Sequence, residues 1–225
     1  MISKWMVITM AVALLAVAGI YTGMAGPGGG PGGGTVLVPL SQQEADGVLL
    51  MREEEKLARD SYTVLGELWG VAVFDNIAVA EQSHMDAVKK LIIKYRLVDP
   101  VSDETVIGNF EDEDLQVMFE EQMALGAESV MAALYVGGYI EETDLQDIQG
   151  LVDMTSNSDL ISTYESLLCG SRNHLRAFVR NIELKGETYV PFNLTEEALS
   201  EIVDEPVERS CGDSGSGRQK GPRAF

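Results

Sequence analysis

Residues 41–69 read SQQEADGVLLMREEEKLARDSYTVLGELW. The stretch opens as a helix opens. Ser41 offers a hydroxyl at the N-cap, and Glu44, three residues on, offers a carboxylate that reaches back, the pattern of a capping box. Apolar residues then recur at Val48, Met51, Ala58, Leu65 and Leu68 until Gly70 stops the run. In its middle stand Glu53, Glu54 and Glu55, followed by Lys56, and a charge run is ordinarily a solvated face. Yet Met51, Glu55, Ala58, Tyr62 and Leu65 fall on one stripe, which turns Glu55 inward; a slightly rotated stripe would select Glu54. Tyr62, two turns beyond Glu55, lies where its hydroxyl can bond an inward-facing ligand.

The same helical period continues outward. A second helix is expected over 75–95, with Ile77, Ala80, Val88, Leu91 and Ile92 as its apolar positions, and Asp99-Pro100 breaks the chain. An acidic connector follows over 101–111, then a short helix over 112–125, a longer one over 127–154, a polar turn at 155–158 and a helix over 159–185 stopped by Gly186. A small helix over 195–203 has Thr195 as its cap. No strand-like alternation competes, and no internal repeat of fixed period is present. Two helical hairpins joined by a longer connector make an all-α bundle.

The ends read differently. Lys4 precedes an uncharged, mostly apolar run from Trp5 to Ala25, which is the pattern of a signal peptide or, if retained, of a membrane anchor. Residues 26–34, GPGGGPGGG, form a linker that extends to about residue 40. The helical domain is expected over 41–190 and a largely disordered extension over 191–225. Either fate of the N-terminal segment puts the domain outside the cytoplasm. Cys169 and Cys211 lack metal-site spacing; there they either pair or remain free thiols. With 36 acidic against 16 basic residues the net charge is −20, which excludes a nucleic-acid binder, since phosphate recognition needs a basic footprint.

Four helices put ligand-type groups on their inward stripes. On the second, Glu81-Gln82-Ser83-His84 places a carboxylate and an imidazole three residues apart on one face, so both can reach one ion. The bland alternative is that Glu81 and His84 satisfy each other, or Arg52, in a structural network. The longer helix carries Glu141 on a stripe with Leu134, Gly138, Leu145 and Ile148, and Asp144 one turn on; Glu142 is expected to be solvated. The 159–185 helix carries His174 with Leu167, Ser171, Leu175 and Phe178. A rise of about 1.5 Å per residue puts Glu55 about 20 Å before the first hairpin turn and His84 about 15 Å after it; Glu141 and His174 lie about 20 Å and 24 Å from the second. The candidates of each hairpin therefore meet near mid-bundle.

These residues resemble the ferritin-like superfamily, rubrerythrin-type proteins most of all. Glu55 through Tyr62, EKLARDSY, matches the ExxARxxY of their first helix and selects Glu55 over Glu54; Glu81 and His84 match the second-helix ExxH. Gly137–Glu141 resembles the third-helix GExxE, and His174 matches the fourth-helix histidine. The phrases MREEEKLARD, EQSHMDAVKK, YIEETDLQDI and GSRNHLRAFVRN also resemble an uncharacterised prokaryotic domain family placed in that superfamily, over about 41–189. The resemblance implies a ferritin-like four-helix bundle. It implies iron, or manganese, held by Glu55, Glu81, His84, Glu141 and His174, with Glu54 and Asp144 as less certain ligands. It further implies reaction with peroxide or oxygen.

Two departures stand out: Gly138 replaces the first third-helix carboxylate and Ser171 replaces the Glu of the fourth-helix ExxH. A bridging ligand is thereby lost unless Asp144 compensates, leaving one metal or a weakly held second. No rubredoxin-like CxxC pair is present, so an enzyme here would take electrons from an external donor. The expected partners are metal ions, that donor, the membrane through the N-terminal segment if it is retained, and a second copy of the chain in a homodimer. Two other readings compete: a non-enzymatic metal-binding protein, and a metal-free extracytoplasmic structural or interaction module.

Overall fold

The computed structural model describes residues 37–209 and 211. Among them are six helices and no strand: α1 Gln42–Trp69, α2 Ala72–Tyr95, α3 Glu113–Gly126, α4 Val130–Asp153, α5 Ser158–Glu183 and α6 Glu196–Val203. The protein is all-α. Local chemistry sets most of the boundaries. Ser41 and Glu44 form the full capping box on α1, and Gly70, at φ +63°, ends it in the left-handed conformation that glycine adopts without a Cβ penalty. Asp112, Ser129, Asn157 and Thr195 each cap the helix that follows with a side-chain oxygen. The Ser129 cap starts α4 three residues later than the apolar pattern suggested. α2 starts three residues earlier, at Ala72, without a side-chain cap.

Helix α1 packs on α2, α3 and α4, while α5 packs on α2, α4 and α6. Gly70 and Val71 alone connect α1 to α2, so that pair is an antiparallel hairpin. The core between the long helices holds Met51, Tyr62, Leu65, Phe74, Leu134, Leu145, Ile148, Leu167 and Phe178.

Burial on α1 goes beyond the stripe that turns Glu55 inward: the whole run from Glu53 to Lys56 is enclosed, and every residue from Met51 to Tyr62 is buried. The α2–α3 connector folds over it. Glu53 accepts the backbone N–H groups of Glu111 and Asp112, at 2.6 and 3.2 Å. Arg52 pairs with Asp99 and Glu104, and Lys56 donates to the Val106 carbonyl. Glu142 is also buried, not solvated. Its carboxylate accepts the Tyr189 hydroxyl at 2.7 Å and the backbone N–H groups of Phe192, Asn193 and Leu194 at 3.0, 2.6 and 2.9 Å.

Those bonds carry the packed chain past residue 190. α6 lies on α5, Glu208 pairs with Arg172 and Arg176, and Cys169 is joined to Cys211 by a disulfide. Among the described residues no helix is long and apolar enough to cross a membrane. The apolar run 5–25, the glycine linker 26–34, residue 210 and residues 212–225 of the C-terminal extension lie outside the described residues.

Candidate metal centre

The inward stripes converge. Glu81, fully buried on α2, has one histidine nitrogen at each carboxylate oxygen: Nδ1 of His84 at 2.7 Å from Oε2 and Nδ1 of His174, on α5, at 2.7 Å from Oε1. Glu81, His84 and His174 thus bring three ligand atoms within 4.8 Å of one another. The two rings stack with centroids 5.4 Å apart. From α1, Glu55 Oε2 lies 3.1 Å from His84 Nδ1; from α4, Glu141 Oε2 lies 3.5 Å from His174 Nδ1. Tyr62 donates to Glu141 Oε1 at 2.6 Å and fixes that carboxylate from behind. All five residues singled out on the stripes therefore meet.

Small residues make the room. A Cβ at Gly170 of α5 would stand 2.4 Å from Nε2 of His84, so only glycine lets that ring lie against the helix. The helical stripes do not single out Gly170; its signal is a glycine one turn before an inward histidine.

His174 Nδ1 and Glu81 Oε1 form a close, buried ion pair whose angles fall outside those of a directed hydrogen bond. Both atoms are buried and neither has a hydrogen-bond partner in acceptable geometry. They share this condition with Glu55 Oε1, Glu141 Oε2, Asp144 Oδ2 and Glu54 Oε2. Buried carboxylate oxygens without partners are costly. Among the described residues, the ion pairs of Glu55, Glu81 and Glu141 are with His84 and His174 alone. Arg52, the alternative partner for Glu81, is committed to Asp99, Glu104 and the Met85 carbonyl.

The electrostatics express the same shortage of positive charge. Burial pushes the Glu55 carboxyl up, against the pull of His84, to about 7; burial likewise pushes Glu141 up to about 7, against His174. Burial also opposes ionisation of Glu81, but His174 and His84 outweigh it and hold that carboxyl below its ordinary range. For the histidines burial disfavours the cation; Glu55 and Glu81 still push His84 up, and Glu81 and Glu141 push His174 up to about 10. Asp144 is raised by burial and by Glu141, Glu55 and Glu54; Glu54 is raised by burial and by Asp147, a neighbour that the sequence pattern does not reveal.

The two departures from the rubrerythrin pattern have structural counterparts. A Cβ at Gly138 would stand 2.5 Å from the Tyr189 hydroxyl, so that position faces the C-terminal segment. Ser171 is buried, and its hydroxyl returns to the Leu167 carbonyl of its own helix at 3.2 Å. Neither supplies the centre.

An all-helical domain with carboxylates and two histidines drawn from α1, α2, α4 and α5 defines the class. The family model described as "Uncharacterized protein domain (DUF2202)" matches residues 44–206, and the chain belongs to that family. It is similar to "Uncharacterized protein MJ0754" of Methanocaldococcus jannaschii, 42% identical over 171 residues that span 76% of this chain and 92% of the relative. The solved crystal structure of hypothetical protein MJ0754 from Methanococcus jannaschii DSM 2661 superposes with a TM-score of 0.75 at 40% identity, covering 78% of this chain and 99% of that one.

Proposed function

We propose that the chain is a ferritin-like four-helix bundle that binds one or two redox metal ions and acts as an oxidoreductase on peroxide or oxygen. Iron is the first choice of ion and manganese the second. Glu55, Glu81, His84, Glu141 and His174 are the ligands, with Asp144 and Glu54 behind them. The observation that carries this is the pair Glu81 Oε1 and His174 Nδ1, 2.7 Å apart, buried and outside the geometry of a directed hydrogen bond. Two adjacent ligands of one ion, each about 2.1 Å from it, lie about 3 Å apart at a right angle. A nitrogen and an oxygen held at that separation suit an ion between them. Imidazole with carboxylate suits iron or manganese. The contacts of α1 with α2 and α4, and of α5 with α2 and α4, support the bundle.

A bound iron would supply one-electron chemistry towards oxygen or peroxide. The chain's own residues do the rest. Glu81 spans both histidines, so one carboxylate sets the separation of the two halves of the site. Tyr62 orients Glu141 by its hydroxyl. Glu55 and Glu141, both raised to about 7, exchange their protons for a cation near neutral pH. Access is widest at the histidines, whose side chains are 12% and 10% exposed while Glu55 and Glu81 are each 1% exposed. Because neither Gly138 nor Ser171 brings a carboxylate to the centre, one tightly held metal is favoured over two, with Asp144, which Glu141, Glu55 and Glu81 all influence, as a further carboxylate. The N-terminal segment suits work outside the cytoplasm, with an external electron donor.

The test is metal bound per chain after loading with ferrous iron under reducing conditions, followed by peroxide consumption. Near two equivalents, lost in His84→Ala and His174→Ala, supports a dinuclear site; about one supports the single-metal form. Metal uptake without turnover leaves a binding protein. A folded helical chain that takes up none is a surface module instead.

A further inference from the structure

The disulfide between Cys169 and Cys211 closes 42 residues of chain, and its Cys169 end is next in sequence to a residue that packs against the centre. Cys169 precedes Gly170, whose missing Cβ would stand 2.4 Å from His84 Nε2. Neighbouring Cα atoms are about 3.8 Å apart, so the Cys169 backbone comes within roughly 8 Å of that imidazole. The two cysteines differ in access: Cys211 is exposed and Cys169 half-buried.

The segment carrying Cys211 is also held without the S–S bond. Arg172 donates to both Glu208 carboxylate oxygens at 2.7 and 2.6 Å, and Arg176 adds a third bond at 3.2 Å. The Glu208 backbone N–H donates to Asn173 Oδ1 at 2.9 Å, and its carbonyl accepts from Asn173 Nδ2 at 3.1 Å. These contacts bracket the turn of α5 that bears His174. They keep the two thiols together when the bond is open, as a pair that opens and recloses requires.

We propose that Cys169 and Cys211 are a redox-active pair that supplies the electrons for peroxide reduction at the histidine edge of the centre, an inference that rests on reading that centre as a redox-metal site. The two thiols lose two electrons and two protons as their S–S bond forms. One hydrogen peroxide takes these up as its O–O bond breaks, giving two waters. An external dithiol then attacks the exposed Cys211 sulfur, leaves as its own disulfide and restores both thiols. The external electron donor is therefore a dithiol.

The experiment uses the full chain loaded with iron, its iron content measured first. The disulfide is opened with dithiothreitol, the reductant is removed anaerobically, and one equivalent of hydrogen peroxide is added. Free thiols are counted over time by alkylation and mass, and the iron oxidation state is followed by its absorption. Two thiols should disappear per peroxide, roughly tenfold or more faster in the iron-loaded than in the metal-free chain. In Cys211→Ser, iron content should be unchanged, but the oxidised-iron absorption should persist where wild type bleaches it. Iron bound with equal thiol loss in loaded and metal-free chains, or equal bleaching in Cys211→Ser, overturns the redox pair and leaves a purely structural disulfide beside an intact metal site. A chain that holds no iron overturns the metal reading itself, and the redox pair with it.

Discussion

Gly170 of α5 yields its side-chain space to His84 of α2: a Cβ there would meet both Cε1 and Nε2 of the imidazole at 2.4 Å. The ring cannot simply swing away, because its Nδ1 is engaged by Glu55 and Glu81. Gly170→Ala should therefore displace His84 and cost about 1–3 kcal/mol, the usual range for overpacking. Bound metal should fall together with the thermal midpoint. Gly150→Ala is the control. It lies within α4 with nothing within 4 Å of its Cβ, and should stabilise by about 0.4–1 kcal/mol without touching metal content. Melting curves and metal analysis on the two variants separate a helix-propensity effect from a site effect.

Glu81→Gln preserves size and removes the charge that both histidines face. Ligand-sphere changes cost about 10–100-fold in affinity even at supporting positions. A direct ligand should cost at least that, with helix content unchanged by circular dichroism. Wild-type affinity in Glu81→Gln would exclude Glu81 as a ligand. In the metal-free protein the substitution also removes the anion that both imidazoles face, so His84 and His174 should titrate lower than in wild type, as followed by NMR.

Much of this arrangement is legible in the sequence because it depends on near neighbours. The Ser41–Glu44 cap, the Thr195 cap and the helical stripes through Glu55, Glu81, Glu141 and His174 are all encoded within a few residues. Glu142 shows where that stops. It sits next to Glu141 and faces away from the centre, and nothing in its own helix announces that residues 189–194 will bring it four donors. Glu53 and Arg52 are alike in this: the charge run looks solvated until the connector from Asp99 to Asp112 closes over it. Gly170 and Asp147 escape a sequence reading for the same reason, since their roles exist only against α2 and α1.

Glu142→Ala should give the opposite signature to Glu81→Gln. It strands the Tyr189 hydroxyl and three backbone N–H groups that the carboxylate now accepts. Hydrogen bonds to a charged acceptor are worth about 1.5–3 kcal/mol each, so a loss of about 3 kcal/mol or more is expected. The segment after Tyr189 should lose protection in hydrogen exchange while metal content per folded chain stays near wild type. If metal is lost with the segment intact, Glu142 belongs to the centre rather than to the tail.

Acid should loosen the connector through Glu104. Hydrogen bonding to Lys89 lowers its carboxyl from the ordinary 4.5 to about 2, with Arg52 adding to the effect against a smaller burial cost. A carboxyl lowered in the folded state stabilises above its unfolded value and loses that contribution as pH falls through its folded value. The window is therefore about pH 4.5 down to about 2. Wild type should exceed Glu104→Gln in thermal midpoint by a constant margin above this window, and the margin should shrink towards its acid end. Because Glu104 also takes the Gln82 amide at 3.4 Å and its carbonyl takes Arg59 at 2.8 Å, the first amides to lose protection should lie in the connector over Arg52 to Asp60. A margin that instead grew with acid would mean that Glu104 is held above its ordinary value, and that its lysine and arginine partners are not engaged in solution.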